Sequence, residues 1–228
     1  MANEIISYME MCQREGAQLQ RGMNFKMGGH HSVILMSVRP NSPYQDRIED
    51  NGETLICEGH DVPRTASTKN PKIIDQPEKL PSGRLTENGK FHQVAQTAKK
   101  GAVPERVRVY EKIRKGIWSY NGVFHLVDSW REHDAHREVF KFKLVAVEGD
   151  EDFTKPIKRD LPHRRIIPTS VKLVVWKRDG GKCIKCGKED ELHFDHVLPY
   201  SKGGTSITAE NVQLLCARHN LEKRDNIE

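Results

Sequence analysis

Apolar residues in the first twenty positions lie among acids and glutamines, a pattern typical of a short amphipathic helix. Its apolar positions are Ile5, Ile6, Met9 and Leu19. A second helix is predicted over residues 87–99, and a third, short one begins after Thr169 and ends at Gly180-Gly181. Helices are therefore expected to be few and far apart along the chain.

Strand-like runs fill most of the sequence between these helices. The clearest is 139–147, in which Phe140, Phe142 and Leu144 alternate with Lys141 and Lys143, the period-two pattern of a half-buried strand. Similar runs cover residues 32–38, 53–57, 107–113 and 123–127. Turn residues separate them, at 50–52, 81–83, 88–89 and 121–122. Many strands with few helices predict a twisted β barrel or sandwich.

The composition changes after residue 147. Residues 149–170 carry three prolines and a cluster of basic residues with little periodicity, which is typical of a linker. The basic side chains of this linker are either exposed to solvent or in contact with phosphates. The predicted organisation is an N-terminal domain over 1–150, a linker over 151–170 and a small domain over 171–228. A domain as small as the last one seldom folds by burial alone, so a structural metal is expected.

The overall composition excludes several classes of protein. With 36% hydrophobic and 30% charged residues, the 228-residue chain can form a core, which excludes wholesale disorder. No apolar run approaches the ~18–20 residues that span a bilayer, and the N-terminus lacks the pattern of a secretory signal. The net charge of +5 permits a nucleic-acid partner without demonstrating one. We therefore expect a cytoplasmic protein with no membrane contact.

The five cysteines favour a metal site over disulfides, because their number is odd and two of them form a close pair. Cys183 and Cys186 place two thiolates three residues apart, and Cys216 with His219 supplies a thiolate and an imidazole at the same spacing. Four such ligands suit tetrahedral Zn²⁺ with no open position. The sequence therefore predicts a structural zinc site.

Polar residues between the two halves of this site suit hydrolysis of a phosphodiester. The reaction needs a base for water and a divalent metal ion that holds the scissile phosphate. Asp195 and Asn220 offer oxygen ligands suited to Mg²⁺ or Mn²⁺, and His196 is the candidate base. Asn211 would orient His196 by a hydrogen bond, and Lys202 would approach the phosphate backbone.

The order of these motifs resembles the zinc-clamped form of the HNH (ββα-metal) nuclease family over residues 172–223. The resemblance implies that His196 is the catalytic histidine and Asn211 the middle asparagine. It also implies that Asp195 takes the first metal-ligand position and Asn220 the last, where Asn stands in place of His.

Most of residues 20–147 resemble the SRA (also called YDG) domain, which binds modified cytosine in DNA. The resemblance rests on the segments around Tyr44 and Glu58 and on Tyr120-Asn121-Gly122, which stands where that family has Tyr-Asp-Gly. It implies a curved β barrel flanked by helices. It also implies base flipping, in which the modified cytosine leaves the duplex and enters a pocket.

By the same resemblance, Tyr44 would stack on the flipped base and Asp46 would accept from its exocyclic amine. Glu58 and Gly59 would line the other wall of the pocket. Cys57 stands where many members have a second stacking Tyr. Its smaller side chain would loosen the pocket, admit a larger modification or weaken binding, unless Cys57 is a core residue.

The predicted fold is α+β, an SRA-like curved β barrel with flanking helices followed by a small ββα-metal HNH domain with structural zinc. The predicted function is a bacterial endonuclease that recognises 5-methylcytosine or 5-hydroxymethylcytosine in double-stranded DNA and hydrolyses the backbone. Cutting both strands would require a homodimer or two copies. Two alternatives stay open: an HNH nuclease indifferent to modification, and a non-catalytic reader of modified DNA with a zinc knuckle.

Overall fold

The computed structural model describes residues 4–66, 68–147, 167–199, 202, 204, 206 and 208–223. The strands are β1 (Glu4–Ser7), β2 (Met23–Met27), β3 (His31–Met36), β4 (Arg47–Glu49), β5 (Thr54–Glu58), β6 (Glu105–Arg114), β7 (Ile117–His133), β8 (Glu138–Ala146), β9 (Leu192–His196) and β10 (Val212–Cys216). The helices are α1 (Tyr8–Glu15), α2 (Glu87–Lys99), α3 (Thr169–Arg178) and α4 (Ala217–Lys223). None of these helices is long and apolar enough to cross a membrane.

The ten strands form one mixed sheet that is not closed into a barrel, so the predicted barrel is wrong in this respect. The sheet runs in the order β10-β9-β1-β7-β6-β3-β2, and a branch runs from β7 through β8 and β5 to β4. The branch arises because one edge of β7 pairs first with β1 and then with β8. Strands β3 and β6 are parallel, and the other pairs are antiparallel.

The largest hydrophobic core lies between the branched sheet and α2. Phe91 and Ala95 of α2 pack against Phe124, Phe140 and Phe142 of the sheet. The helix begins at Glu87 because the side chain of Thr86 accepts a hydrogen bond from the backbone N–H of Gly89. The prediction of a helix over residues 87–99 is confirmed, and the predicted turn at 88–89 is wrong because both residues lie in the first turn of this helix.

The predicted helix over residues 1–20 is wrong at its start, where the chain forms strand β1. Ile5 and Ile6 are adjacent and therefore face opposite sides of the strand. Ile6 is buried with Met11, while Ile5 packs against two clusters formed after residue 166. Helix α1 follows, with a capping box in which Ser7 and Glu10 exchange hydrogen bonds.

The predicted turn at 121–122 is also wrong, because Asn121 and Gly122 lie within the 17-residue strand β7. Gly122 has φ 101° and lies at the point where the pairing of β7 with β6 shifts register. A glycine at positive φ in a strand is typical of a bulge. The Asn-Gly pair therefore bends a continuous strand and does not end it.

The C-terminal module comprises α3, β9, β10 and α4. Its core contains Ile167, Val171 and Val175 packed against Phe194 and Leu214. Since Ile167 is buried and α3 begins at Thr169, the described residues from 167 onward already belong to the module. The rest of the predicted linker, with its basic cluster, lies outside the described residues.

Candidate active site

Three cysteines and one histidine of the C-terminal module converge on one point. The ligand atoms of Cys183, Cys186, Cys216 and His219 all lie within 4.8 Å of one another. Nδ1 of His219 is 3.3 Å from Sγ of Cys183 and 3.4 Å from Sγ of Cys216, and the thiols of Cys186 and Cys216 are 3.8 Å apart. The structure therefore brings together the predicted structural zinc ligands.

These spacings fit tetrahedral zinc. Two thiolates at the usual Zn–S distance of about 2.3 Å lie about 3.8 Å apart across a tetrahedral angle, and a thiolate and an imidazole nitrogen lie about 3.5 Å apart. Burial acts to raise the pKa of Cys183, but hydrogen bonds from the Cys216 backbone and from His219 outweigh it and lower the pKa to about 6. A thiol that ionises this readily is suited to metal binding.

The candidate catalytic pair lies at the end of β9, where it pairs with β10. Asp195 is opposite Gln213, and His196 is opposite Val212. The Gln213 side chain donates to Oδ2 of Asp195 at 3.1 Å. Nε2 of His196 is 2.8 Å from the hydroxyl of Ser206, which is itself buried. Both catalytic candidates are partly exposed.

Asn211 fixes the loop that follows His196. Its side-chain oxygen accepts from the backbone N–H of Leu198 at 2.8 Å, and its amide nitrogen donates to the carbonyl of Leu198 at 3.0 Å. A Cβ at Gly204 would lie 1.8 Å from that same carbonyl. The loop therefore requires glycine at 204 for close approach of the backbone, and Asn211 positions the chain two residues beyond the candidate base.

Lys223 is a site residue that the sequence analysis did not assign. Its Nζ lies 3.0 Å from Oδ2 of Asp195 and donates to the carbonyl of His196 at 2.6 Å. The Lys223 side chain is only 1% exposed, against 16% for Asp195. The ammonium therefore holds the carboxylate and the backbone of the candidate pair from within the module. Lys223 lies 27 residues after His196 in the sequence, so neither spacing nor periodicity predicted this contact.

Asn220 lies on α4 three residues before Lys223 and is half-buried. Residues three apart share one face of a helix, so Asn220 lies on the face from which Lys223 reaches Asp195. Asp195 and Asn220 are thus carried by two elements, β9 and α4, that pack on each other. Lys202 is exposed, and its backbone N–H donates to the carbonyl of Pro199.

The predicted base-pocket residues lie around the end of β5. Nζ of Lys72 is 4.3 Å from the centre of the Tyr44 ring, and the ring of His60 is 6.2 Å away. Asp46 accepts from the backbone N–H groups of Ser37 and Glu58, one on each carboxylate oxygen. Burial raises the pKa of Asp46 to about 6. Both oxygens of Asp46 thus already accept backbone hydrogen bonds that join neighbouring segments.

Cys57 is buried in the main core, and its strand pairs there with Phe142 of β8. This burial fits the interpretation of Cys57 as a core residue, and its assignment as a pocket residue stays a prediction. The side chain of Glu58 binds Lys141 at 2.9 Å, and the two are 4% and 1% exposed. A Cβ at Gly59 would lie 2.5 Å from the side-chain oxygen of Gln76, which explains the glycine by close packing.

The C-terminal module matches a known protein family. Residues 183–228 match the family model of the HNH endonucleases. This region contains the Cys and His cluster, the Asp195-His196 pair, Asn211 and Asn220. The C-terminal module is an HNH endonuclease domain, and the resemblance inferred from the sequence is confirmed there.

Solved structures resemble the chain in fold. The SRA domain of SUVH5 in complex with hemimethylated CG DNA is 24% identical over 68% of this chain and 93% of its own, with a TM-score of 0.46. The phosphorothioation-dependent type IV restriction endonuclease ScoMcrA is 14% identical over 99% of this chain and 52% of its own, with a TM-score of 0.45. No curated protein matches the chain. Likenesses this distant transfer no residue role and no ligand.

Replacing Cys186 with Ala should release the metal and unfold the C-terminal module, because metal binding and folding of so small a module form one equilibrium. The matched control is Cys12→Ala, since Cys12 lies outside the cluster. Metal analysis and limited proteolysis measure the outcome. Retention of one zinc per chain by Cys186→Ala, with protease resistance equal to that of Cys12→Ala, would contradict the assignment.

Replacing Lys223 with Met should lower the free energy of unfolding by about 1–3 kcal/mol, because a partly buried carboxylate and a carbonyl lose their donor. Lys188→Met, at an exposed position of the same module, should change it by less than about 0.5 kcal/mol. Denaturant unfolding followed by tryptophan fluorescence measures the difference. Equal stability of the two variants would show that the Lys223 contacts contribute nothing.

Proposed function

We propose that this protein is a modification-dependent DNA endonuclease. Its C-terminal HNH domain would hydrolyse the backbone, and its N-terminal part would recognise DNA that carries 5-methylcytosine or 5-hydroxymethylcytosine. The observation that carries the proposal is the Asp195-His196 pair at the end of β9, which is contacted by Lys223 and Ser206 and followed by a loop that Asn211 holds by hydrogen bonds. A module that only gripped DNA through zinc would need none of these contacts.

His196 is proposed as the general base. In the tautomer whose Nε2–H donates to Ser206, the imidazole lone pair is on Nδ1, and this nitrogen would take a proton from the attacking water. Asp195 and Asn220 would hold the divalent ion, Mg²⁺ or Mn²⁺, with hard oxygen ligands. Such an ion stabilises charge on the scissile phosphate and on the leaving oxygen. Lys202, which is exposed, would contact a neighbouring phosphate.

Recognition of the modified base is proposed at the Tyr44 surface. Tyr44 is partly exposed, and the Lys72 ammonium that lies over its ring is 40% exposed and pairs with Asp61 at 2.9 Å, so a flipped base would displace this cation from the aromatic face. Glu58 and Gly59 lie beside it at the end of β5. Double-strand cutting by a single HNH centre would require a homodimer, and a cytoplasmic bacterial enzyme of this kind would restrict modified foreign DNA.

Matched duplexes that differ only at cytosine test the proposal. With Mn²⁺ present, we expect cleavage of methylated and hydroxymethylated duplexes and none of the unmodified duplex, because only a modified base is retained in the pocket. Denaturing gels of end-labelled strands measure cleavage, with EDTA as the control. Equal cleavage of all duplexes would favour a nuclease that is indifferent to modification. Binding of the modified duplexes without cleavage would favour a non-catalytic reader.

Replacing His196 with Ala should lower the cleavage rate at least about 100-fold, since general base catalysis supplies about 10²–10⁴-fold. The dissociation constant for the modified duplex should stay unchanged, because His196 is not one of the residues of the proposed reader surface. Single-turnover cleavage and a gel-shift titration provide the two measurements. The control variant is Glu222→Ala, at an exposed position of the same module. His193→Ala is not used, because His193 is buried and pairs with Glu4 of β1. Cleavage by His196→Ala at the rate of Glu222→Ala would remove His196 from the mechanism.

A further inference from the structure

The C-terminal module and the N-terminal part share one sheet. Strand β1 pairs with β7 over residues Glu4–Ser7 on one edge, and Glu4 pairs with His193 of β9 on the other. Ile5 packs into the cores of the C-terminal module, and Ile6 packs into a core of the N-terminal part. The strand therefore joins the two parts by backbone pairing and by apolar contacts on both of its faces.

A buried polar cluster holds the same two parts together at α3. Nζ of Lys172 on α3 lies 2.7 Å from Oε2 of Glu111 on β6, and both side chains are fully buried. Lys172 also donates to Asn121 at 2.9 Å and to Ser119 at 3.2 Å on β7. The hydroxyl of Thr169 donates to the other carboxylate oxygen of Glu111. Each member of the cluster is satisfied by groups across the junction.

Breaking such a pair leaves an uncompensated charge inside the protein, so the two parts have one favoured arrangement. Burial lowers the pKa of Lys172, and the carboxylate of Glu111 opposes this shift. The Lys172 side chain faces the N-terminal part, while Val171 and Val175 of the same helix face the core of the module. Lys172 can therefore be changed without removing an apolar residue from either core.

We infer that Lys172, through Glu111 and Asn121, fixes the distance between the recognised base and the cut. This inference rests on the proposed function. The HNH centre sits at the end of β9, and β9 is held in the same sheet as the N-terminal part. We call the contacts of Lys172 and Thr169 with Glu111, Asn121 and Ser119 the junction. The junction, and not the length of the connecting residues 148–166, determines which phosphate of the duplex lies at the HNH centre. Lys172 is thus a positioning residue for cut-site selection.

Lengthening the connecting residues separates the two explanations. A Gly-Ser insertion of about four residues within 151–162 would extend the maximum reach of the connection by about 13 Å, since an extended residue spans about 3.4 Å, and this is about four base pairs of duplex. If the junction sets the distance, the insertion variant should cut the modified duplex at the same phosphate as the unaltered protein. Cuts shifted or spread over about four base pairs would overturn the inference.

The second test breaks the contact between Lys172 and Glu111 and leaves the length of the connecting residues unchanged. Lys172→Glu places two carboxylates in the buried cluster, so cuts should spread over several phosphates while binding of the modified duplex and zinc content are retained. Lys177→Glu makes the same charge change at an exposed position of α3 and should leave the cut position unchanged. The reversed pair Lys172→Glu with Glu111→Lys should restore a single cut. A single sharp cut by Lys172→Glu alone would overturn the inference.

Two outcomes need a separate rule. If Lys172→Glu loses zinc or DNA binding, the cut position of the insertion variant alone tests the inference. Should the unaltered protein cut no modified duplex, the proposed function fails, and small-angle X-ray scattering then tests the junction by itself. Its maximum dimension should stay constant on insertion and increase in Lys172→Glu. An increase on insertion, or none in Lys172→Glu, would overturn the fixed arrangement.

Discussion

The arrangement of the whole molecule depends on a four-residue strand that must serve two hydrophobic cores. Adjacent isoleucines in β1 point to opposite sides, so one strand can close a core in the N-terminal part and another in the C-terminal module. A helix would place Ile5 and Ile6 about 100° apart on one surface, which could not fill both spaces. Sheet pairing on both edges then fixes the strand, and with it the position of β9 and the nuclease centre.

The candidate nuclease centre lies beside a cluster of three cysteines and one histidine that could hold a metal ion. The Cys and His cluster brings the pair Cys183 and Cys186 next to α4. Lys223 on α4 contacts Asp195 and the backbone carbonyl of His196. Because α4 carries His219, Asn220 and Lys223, the structural zinc site and the candidate catalytic site are supported by one short helix. Disruption of the Cys and His cluster would therefore displace the candidate catalytic groups on β9 and α4 as well as the pair Cys183 and Cys186.

Sequence reasoning succeeded where the chemistry is local. The candidate zinc ligands form two pairs with short spacing, and the Asp195-His196 pair lies between them, so the order of the motifs was enough to show the resemblance to the HNH family. The base-pocket residues were less predictable. The family resemblance places Cys57 at the pocket, whereas its burial in the main core became visible only in the tertiary structure, in which β5 is buried along its whole length. The buried partners of Glu58, namely Arg137 and Lys141, lie about eighty residues away in sequence, where no spacing rule reaches them.

The sequence by itself determined the metal ligands, the order of the nuclease motif, the helix α2 and the alternation of β8, because each depends on residues that are close in the chain. The tertiary structure decided that residues 4–7 form a strand, that Asn121-Gly122 bends a strand without ending it, and that the sheet branches at β7 and stays open. It also decided that Lys172 and Glu111 meet inside the protein. These outcomes depend on pairing and burial between distant segments, and the free energy of such contacts outweighs local helix and turn preferences.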